Sequence, residues 1–291
     1  MNARELVHVM NELAYGRGSR IPELRALGES LFAQCEQQLP FLAVRKPEAY
    51  RQSDGFCPRP VQLLTLNAPV TVLAAPQDAE GLICSAYQLA RGYVPQPLTE
   101  SEQTALLKSL LAQPRKRELE QVGYTLLFGG LSLAALTHLT RHRMQALCAP
   151  ELLKAARYDR YVLPESVRQA GMEAQYRGAF RMAGEAAAQL RAAGAGEDAL
   201  SYLLLSGQTV PVLTTMNAGE LYVFFRLRCC NRAQWEIRGI ARAMMELLNE
   251  TEARPIFQGY GPSCAVTGRC PEGAMCCGRP VRILNGVWHE P

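Results

Sequence analysis

Twenty consecutive residues, 121–140, carry no formal charge. A run of that length matches the ~20 apolar residues that cross a bilayer as a helix. Gly123, Thr125, Gly129, Gly130, Ser132, Thr137 and His138 dilute its hydrophobicity, however, and no second run accompanies it. The segment therefore belongs inside protein, and its length predicts a helix buried on most sides, within the molecule or an oligomer. No membrane partner is expected.

A chain of 291 residues can build the core that such a segment requires, as one large or two modest domains. Its 48% hydrophobic and 20% charged residues are ordinary for a soluble globular protein. A net charge of +4 is too weak to argue for nucleic acid. Met1 is followed by polar and charged residues, so no export leader and a cytoplasmic location are expected. The ten cysteines then read as free thiols or metal ligands rather than a disulfide framework.

The most structured pattern lies at residues 215–238. Leu221, Phe224, Phe225 and Arg228 follow i, i+3, i+4, i+7 spacing, an apolar helical face that ends in a cation. Asn231 reads as the N-cap of a second helix, whose apolar face is Ile237, Ile240, Ala241, Met244 and Leu248. Arg242 and Glu246 are spaced as a solvent-side pair. The corner between them holds Arg228, Asn231, Arg232, Gln234 and Glu236, too many polar groups for a purely structural turn.

This stretch resembles the C-terminal signature of the flavin-dependent thymidylate synthases. Asn217-Ala218, Glu220-Leu221, Leu227-Arg228 and Ala233 through Arg238 match at the family spacing. A second match, at residues 124–143, overlaps the uncharged run: Gly130, Ser132, Leu139, Arg141, His142 and Arg143 answer a Gly-x-Ser-Arg step and an Arg-His-Arg triplet. Leu133 stands where the family has Arg, and His138 where it has Gln. Three adjacent bases at a helix end suit an anionic ligand such as a dinucleotide pyrophosphate, and they also oppose the helix C-terminal dipole.

The resemblance implies an α+β fold, with long helices packed on a small sheet, and assembly as a homo-oligomer. It implies methylation of dUMP to dTMP with methylenetetrahydrofolate, FAD and NADPH. Arg228 is the catalytic candidate, a cation beside the uracil carbonyls where negative charge develops. Arg141, His142, Arg143 and Asn217 would bind the flavin, and His138 and Arg157 the substrate. Elsewhere the chain leaves the pattern. Residues 144–158 lack the family's two loop serines, and Arg157-Tyr158 align only across an insertion. Leu200 stands where an Ala-Arg pair would supply a phosphate cation. These losses predict weak dUMP binding and keep an alternative open: a non-catalytic relative acting as a structural or regulatory nucleotide- or flavin-binding partner.

Local signals organise the rest. Residues 61–66 and 70–73 read as strands, 78–91 as a helix ending near Gly92, and Thr99 as the cap of a helix stopped by Pro114. Residues 165–193 read as a long helix broken near Gly171, and 281–288 as a short closing strand. Cys264, Cys270, Cys276 and Cys277 lie in a Gly/Pro-rich tail without a Cys-x-x-Cys knuckle, which favours free thiols over a metal site.

Residues 1–6, Met-Asn-Ala-Arg-Glu-Leu, repeat residues 216–221 except for Arg4 in place of Gly219, and Glu23-Leu24-Arg25 answers Glu236-Ile237-Arg238. The organisation expected is a remnant of a first synthase-like unit at 1–43, a linker at 44–57, a synthase-like domain at 58–271 and a tail at 272–291. An upstream synthase-like unit is then a partner in assembly. Residues 1–43 should form two helices superposing on 216–257.

Overall fold

The computed structural model describes residues 13, 17, 21–38, 69–251, 254–279, 282–284 and 287–289. The chain divides into two units, Met1–Leu63 with Met182–Leu204, and Leu64–Arg181 with Leu205–Pro291.

The second unit is built on a four-stranded antiparallel sheet. Its strands are β1 (Val70–Ala74), β2 (Gly123–Ser132), β3 (Gln145–Cys148) and β4 (Thr209–Asn217), in the order β1-β2-β4-β3. The uncharged run is thus not one helix: it is β2 followed by α4 (Leu133–Leu139). Tyr124, Leu126 and Phe128 point into the core while Thr125 and Leu127 lie on the other face. With Leu127 apolar as well, the period of two is hidden in the sequence. The pairing with β4 then shifts between Phe128 and Leu131, across Gly129-Gly130, and both Leu131 and Ser132 are buried. A bulge of this kind erases what alternation remains. In β4 the alternation is intact, with Val210, Val212, Thr214 and Met216 buried.

Both central strands run directly into helices. Ser132 Oγ accepts from Ala135 N at 3.0 Å at the start of α4, and Asn217 Oδ1 accepts from Glu220 N at 2.8 Å at the start of α6 (Ala218–Arg228). Each side chain satisfies an amide that the first turn leaves open. Helix α7 (Trp235–Asn249) follows, as the apolar spacing requires, but its N-cap is Gln234, whose Oε1 accepts from Ile237 N at 2.9 Å. Asn231 is instead an acceptor for two arginines: its carbonyl takes Arg238 Nη1 at 2.8 Å and its Oδ1 takes Arg242 Nη2 at 3.1 Å.

The core joins α6 and α7 to the sheet through Leu221, Phe224, Phe225, Ile237, Ala241 and Met244 with Tyr124 and Phe128, all fully buried. Each such side chain contributes about 1.5–3 kcal/mol by leaving water. Tyr260 closes the cluster edge-to-face with Tyr222 and Phe257, its hydroxyl donating to Ala218 O at 2.9 Å. Around this core α2 (Ala79–Leu89) begins at Asp78, and α3 (Glu100–Ala112) begins at Thr99 with a capping box to Glu102, both as expected. Gly171, at φ 67°, separates Glu165–Gln169 from α5 (Glu173–Ala192), a left-handed break that favours glycine. In the tail β5 (Arg282–Leu284) and β6 (Val287–His289) pair as a hairpin, two strands where one was expected.

In the first unit α1 (Pro22–Gln38) buries Gly28 and Phe32, with the Arg17 guanidinium 4.5 Å from the Phe32 ring centre. Glu23 is the second residue of α1 as Glu236 is of α7, yet the surroundings differ. Leu24 is 49% exposed whereas Ile237 is fully buried, and Glu23 accepts from the Tyr202 hydroxyl on the surface. Residues 1–12, the linker at 44–57 and the strand expected at 61–66 lie outside the described residues.

Candidate functional site

The site is built on the turn from α4 into β3. Gln145, opposite Met216 in the sheet, locks that turn: its Nε2 donates to Leu139 O at 2.7 Å and to His142 O at 2.6 Å, and its Oε1 accepts from Thr214 Oγ1 at 2.7 Å. The turn presents Arg141-His142-Arg143 with the histidine 5% exposed and both arginines at the surface.

His142 bridges the two ends of α6. Its Nδ1 lies 2.7 Å from Glu220 Oε1, and Arg228 Nε donates to its Nε2 at 2.9 Å. An acceptor Nε2 requires a neutral ring with the proton on Nδ1, donated to the carboxylate. Phe224 packs edge-on to the ring at 4.9 Å. Arg228 Nη2 also donates to His138 O at 3.1 Å. Burial, and then the charge of Arg141, press the Arg228 pKa downward. Burial, then Arg228 and Arg141, hold His138 below the ordinary histidine value.

Arg228, His142, His138 and Arg141 are thereby brought together. Arg228 points inward, as the apolar face of α6 requires, and its side-chain partner is His142. Glu236 accepts from Ser132 N at 2.9 Å and from the Ser132 hydroxyl, tying the start of α7 to the start of α4. Asn217 caps α6 and lines a cavity of about 290 Å³ with Met144, Gly219 and Val223. Arg157 stands apart, exposed and paired with Asp159 Oδ1 at 3.2 Å. The roles of Glu220 and Gln145 were missed: Glu220 stands in a matched motif, whereas nothing in the sequence marks Gln145. Among the described residues Arg141, Arg143, Arg226, Arg228, Arg232 and Arg279 form no ion pair with a carboxylate. Unneutralised cations beside a fixed guanidinium make a site for an anion.

The family model described as thymidylate synthase complementing protein matches residues 71–252, the span from β1 through α7 that carries the whole His142 array. The chain belongs to this family. It is 31% identical over 227 residues to a flavin-dependent thymidylate synthase of Geobacter sulfurreducens, covering 74% of this chain and 95% of that protein. It is 29% identical over 243 residues to a flavin-dependent thymidylate synthase of Clostridium tetani, covering 75% and 96%. Among solved structures, the UMP/dUMP methylase PolB from Streptomyces cacaoi, bound with 5-Br dUMP, shares the fold at a TM-score of 0.52 and 16% identity. That superposition covers 62% of this chain and 89% of PolB. The family match leaves out α1 and the Cys-rich tail. A Cβ at Gly219 would lie 3.2 Å from Asn217 Oδ1, the atom that caps α6. No described helix is long and apolar enough to cross a membrane.

Proposed function

We propose that this chain methylates dUMP to dTMP, taking the one-carbon unit from methylenetetrahydrofolate, with FAD as cofactor and NADPH as reductant. The observation that carries this is the Glu220–His142–Arg228 array, which joins the two signature segments of the family through one buried ring. Arg228 is the catalytic residue. Its guanidinium, fixed by His142 and the His138 carbonyl, stabilises the negative charge that builds on the uracil carbonyls. Glu220 positions His142 and keeps the proton on Nδ1, so that Nε2 stays an acceptor.

The donor set fits the cofactor's diphosphate. Arg141 and Arg143 are exposed and have no carboxylate partner among the described residues, and planar forks of this kind grip phosphate oxygens in pairs. His142 between them holds the turn in place, and Asn217 contributes from the α6 terminus. When bound, the flavin supplies the reducing equivalents that turn the transferred methylene into a methyl group. His138, beside Arg228, contacts the pyrimidine where relatives carry Gln, and Arg157 releases Asp159 to join the substrate. The working unit is a homo-oligomer in the cytoplasm, and the repeat at residues 1–43 is the remnant of an upstream synthase-like unit.

The full chain tests this directly. Purified protein should be yellow, release FAD on denaturation, and form dTMP from dUMP with methylenetetrahydrofolate and NADPH under anaerobic conditions. Arg228→Ala should keep its flavin and lose at least about tenfold in kcat/KM. A colourless protein that forms no dTMP when supplied with FAD would instead establish the non-catalytic partner.

A further inference from the structure

The substrate's phosphate needs a cation that the family pattern no longer supplies, since Leu200 replaces the expected Arg and the loop serines are absent. A cavity of about 330 Å³ lies between the α6–α7 corner and the tail, within the size range of small-molecule sites. Four arginines line it: Arg226 and Arg228 from α6, Arg232 from the corner and Arg279 from the tail. Glu272 is the one carboxylate among its lining residues, and none of the four arginines pairs with a carboxylate among the described residues. Arg226 Nε donates to Ser263 Oγ at 3.4 Å, and its guanidinium carbon lies 5.5 Å from the Tyr222 ring centre. Arg228 belongs both to this wall and to the His142 array, so the cavity adjoins the place where the pyrimidine is read.

We propose that this cavity seats the 5′-phosphate of the nucleotide on Arg226, Arg232 and Arg279, while the base lies at Arg228. The assignment rests on the dUMP reading above. A cavity lined by several arginines suits a tetrahedral oxyanion better than a flat carboxylate. Arg279 lies beyond residues 71–252, so the tail supplies a cation from outside the family match and gives the Gly/Pro-rich segment a function. The cysteines then flank a ligand rather than a metal. Cys264, Cys270, Cys276 and Cys277 line the cavity, Cys270 and Cys276 hydrogen-bond to each other, and Gly278 N donates to Cys276 Sγ at 3.5 Å.

Calorimetric titration of the full chain with dUMP, deoxyuridine and inorganic phosphate separates the possibilities. dUMP should bind at least about tenfold tighter than deoxyuridine or phosphate alone. Arg279→Ala and Arg232→Ala should each weaken dUMP about tenfold and leave deoxyuridine unchanged, with melting temperature and flavin content retained. On the unmodified chain, saturating dUMP should slow alkylation of Cys276 and Cys277 by iodoacetamide several-fold. If both variants bind dUMP as the parent does, or dUMP leaves the thiols unprotected, the phosphate lies elsewhere and the proposal fails. If phosphate binds as tightly as dUMP, the cavity is an inorganic anion site and the nucleotide assignment is wrong. Formation of dTMP with unchanged dUMP binding in Arg279→Ala would overturn the cavity while leaving the activity standing. Tight, Arg279-dependent dUMP binding without turnover would do the reverse.

Discussion

At His142 a single buried ring meets a carboxylate on one edge and a guanidinium on the other. That arrangement gives Arg228 no direct carboxylate partner among the described residues, so its charge is not cancelled there. Burial first, then that same charge and Arg141, lower the His138 pKa. A group with a depressed folded-state pKa contributes stability above the ordinary histidine range, and loses it as pH falls through the lowered value. An anion seated in the cavity that Arg228 lines would offset the repulsion from that guanidinium. Addition of dUMP should therefore raise the His138 pKa, followed by NMR titration of its ring protons, by at least about half a unit. An unmoved pKa at saturating dUMP would place the anion away from Arg228.

Each signature segment contributes to a strand-to-helix transition. Asn217 caps α6, Ser132 caps α4, and Glu236 at the start of α7 reaches back to Ser132. A buried carboxylate that accepts both an amide and a hydroxyl leaves two donors orphaned when it is removed. Ser132→Ala should cost about 1 kcal/mol as a lost cap, and Glu236→Ala about 2–3 kcal/mol. Because they share one hydrogen-bond network, the double variant should fall short of the sum by about 1 kcal/mol. Denaturant unfolding of the four proteins measures this; simple additivity would mean that the two helix starts are not coupled.

For the molecule as a whole, the described core holds polar atoms that find no partner. Glu80 Oε1 on α2 and the Tyr124 hydroxyl on β2 are both buried without a hydrogen bond among the described residues. Burial first, then Asp78 and Glu100, push the Glu80 carboxyl above its usual range. A raised folded-state pKa means that protonated Glu80 contributes its stability in full below the ordinary carboxylate range. That contribution is lost as pH rises through the raised value. Glu80→Gln, which cannot ionise, should raise the melting temperature by about 2–4 °C near neutral pH, and the gain should vanish near about pH 4. A gain of equal size at both pH values would point to packing instead of charge.

The helices with clean periodicity and caps were legible in the chain itself. Asp78, Thr99 and Gly171 mark their boundaries through local hydrogen bonding and backbone freedom, and the faces of α6 and α7 follow from 3.6-residue spacing. The family signature likewise singled out Arg228 and the Arg-His-Arg triplet, because each is a sequence-local motif, but their meeting at His142 was not legible. Residues 121–140 misled because β2 is apolar on both faces and carries a Gly-Gly bulge, so strand and helix share one composition until pairing with β4 decides. The partners of buried charge were beyond reach for the same reason. Glu220 and Glu236 lie sixteen residues apart in one motif, and nothing in that spacing says which donors either carboxylate meets. Only the packing of α4 against α6 and α7 brings His142 to one and Ser132 to the other, since a desolvated carboxylate takes whichever donors the assembled core delivers to it.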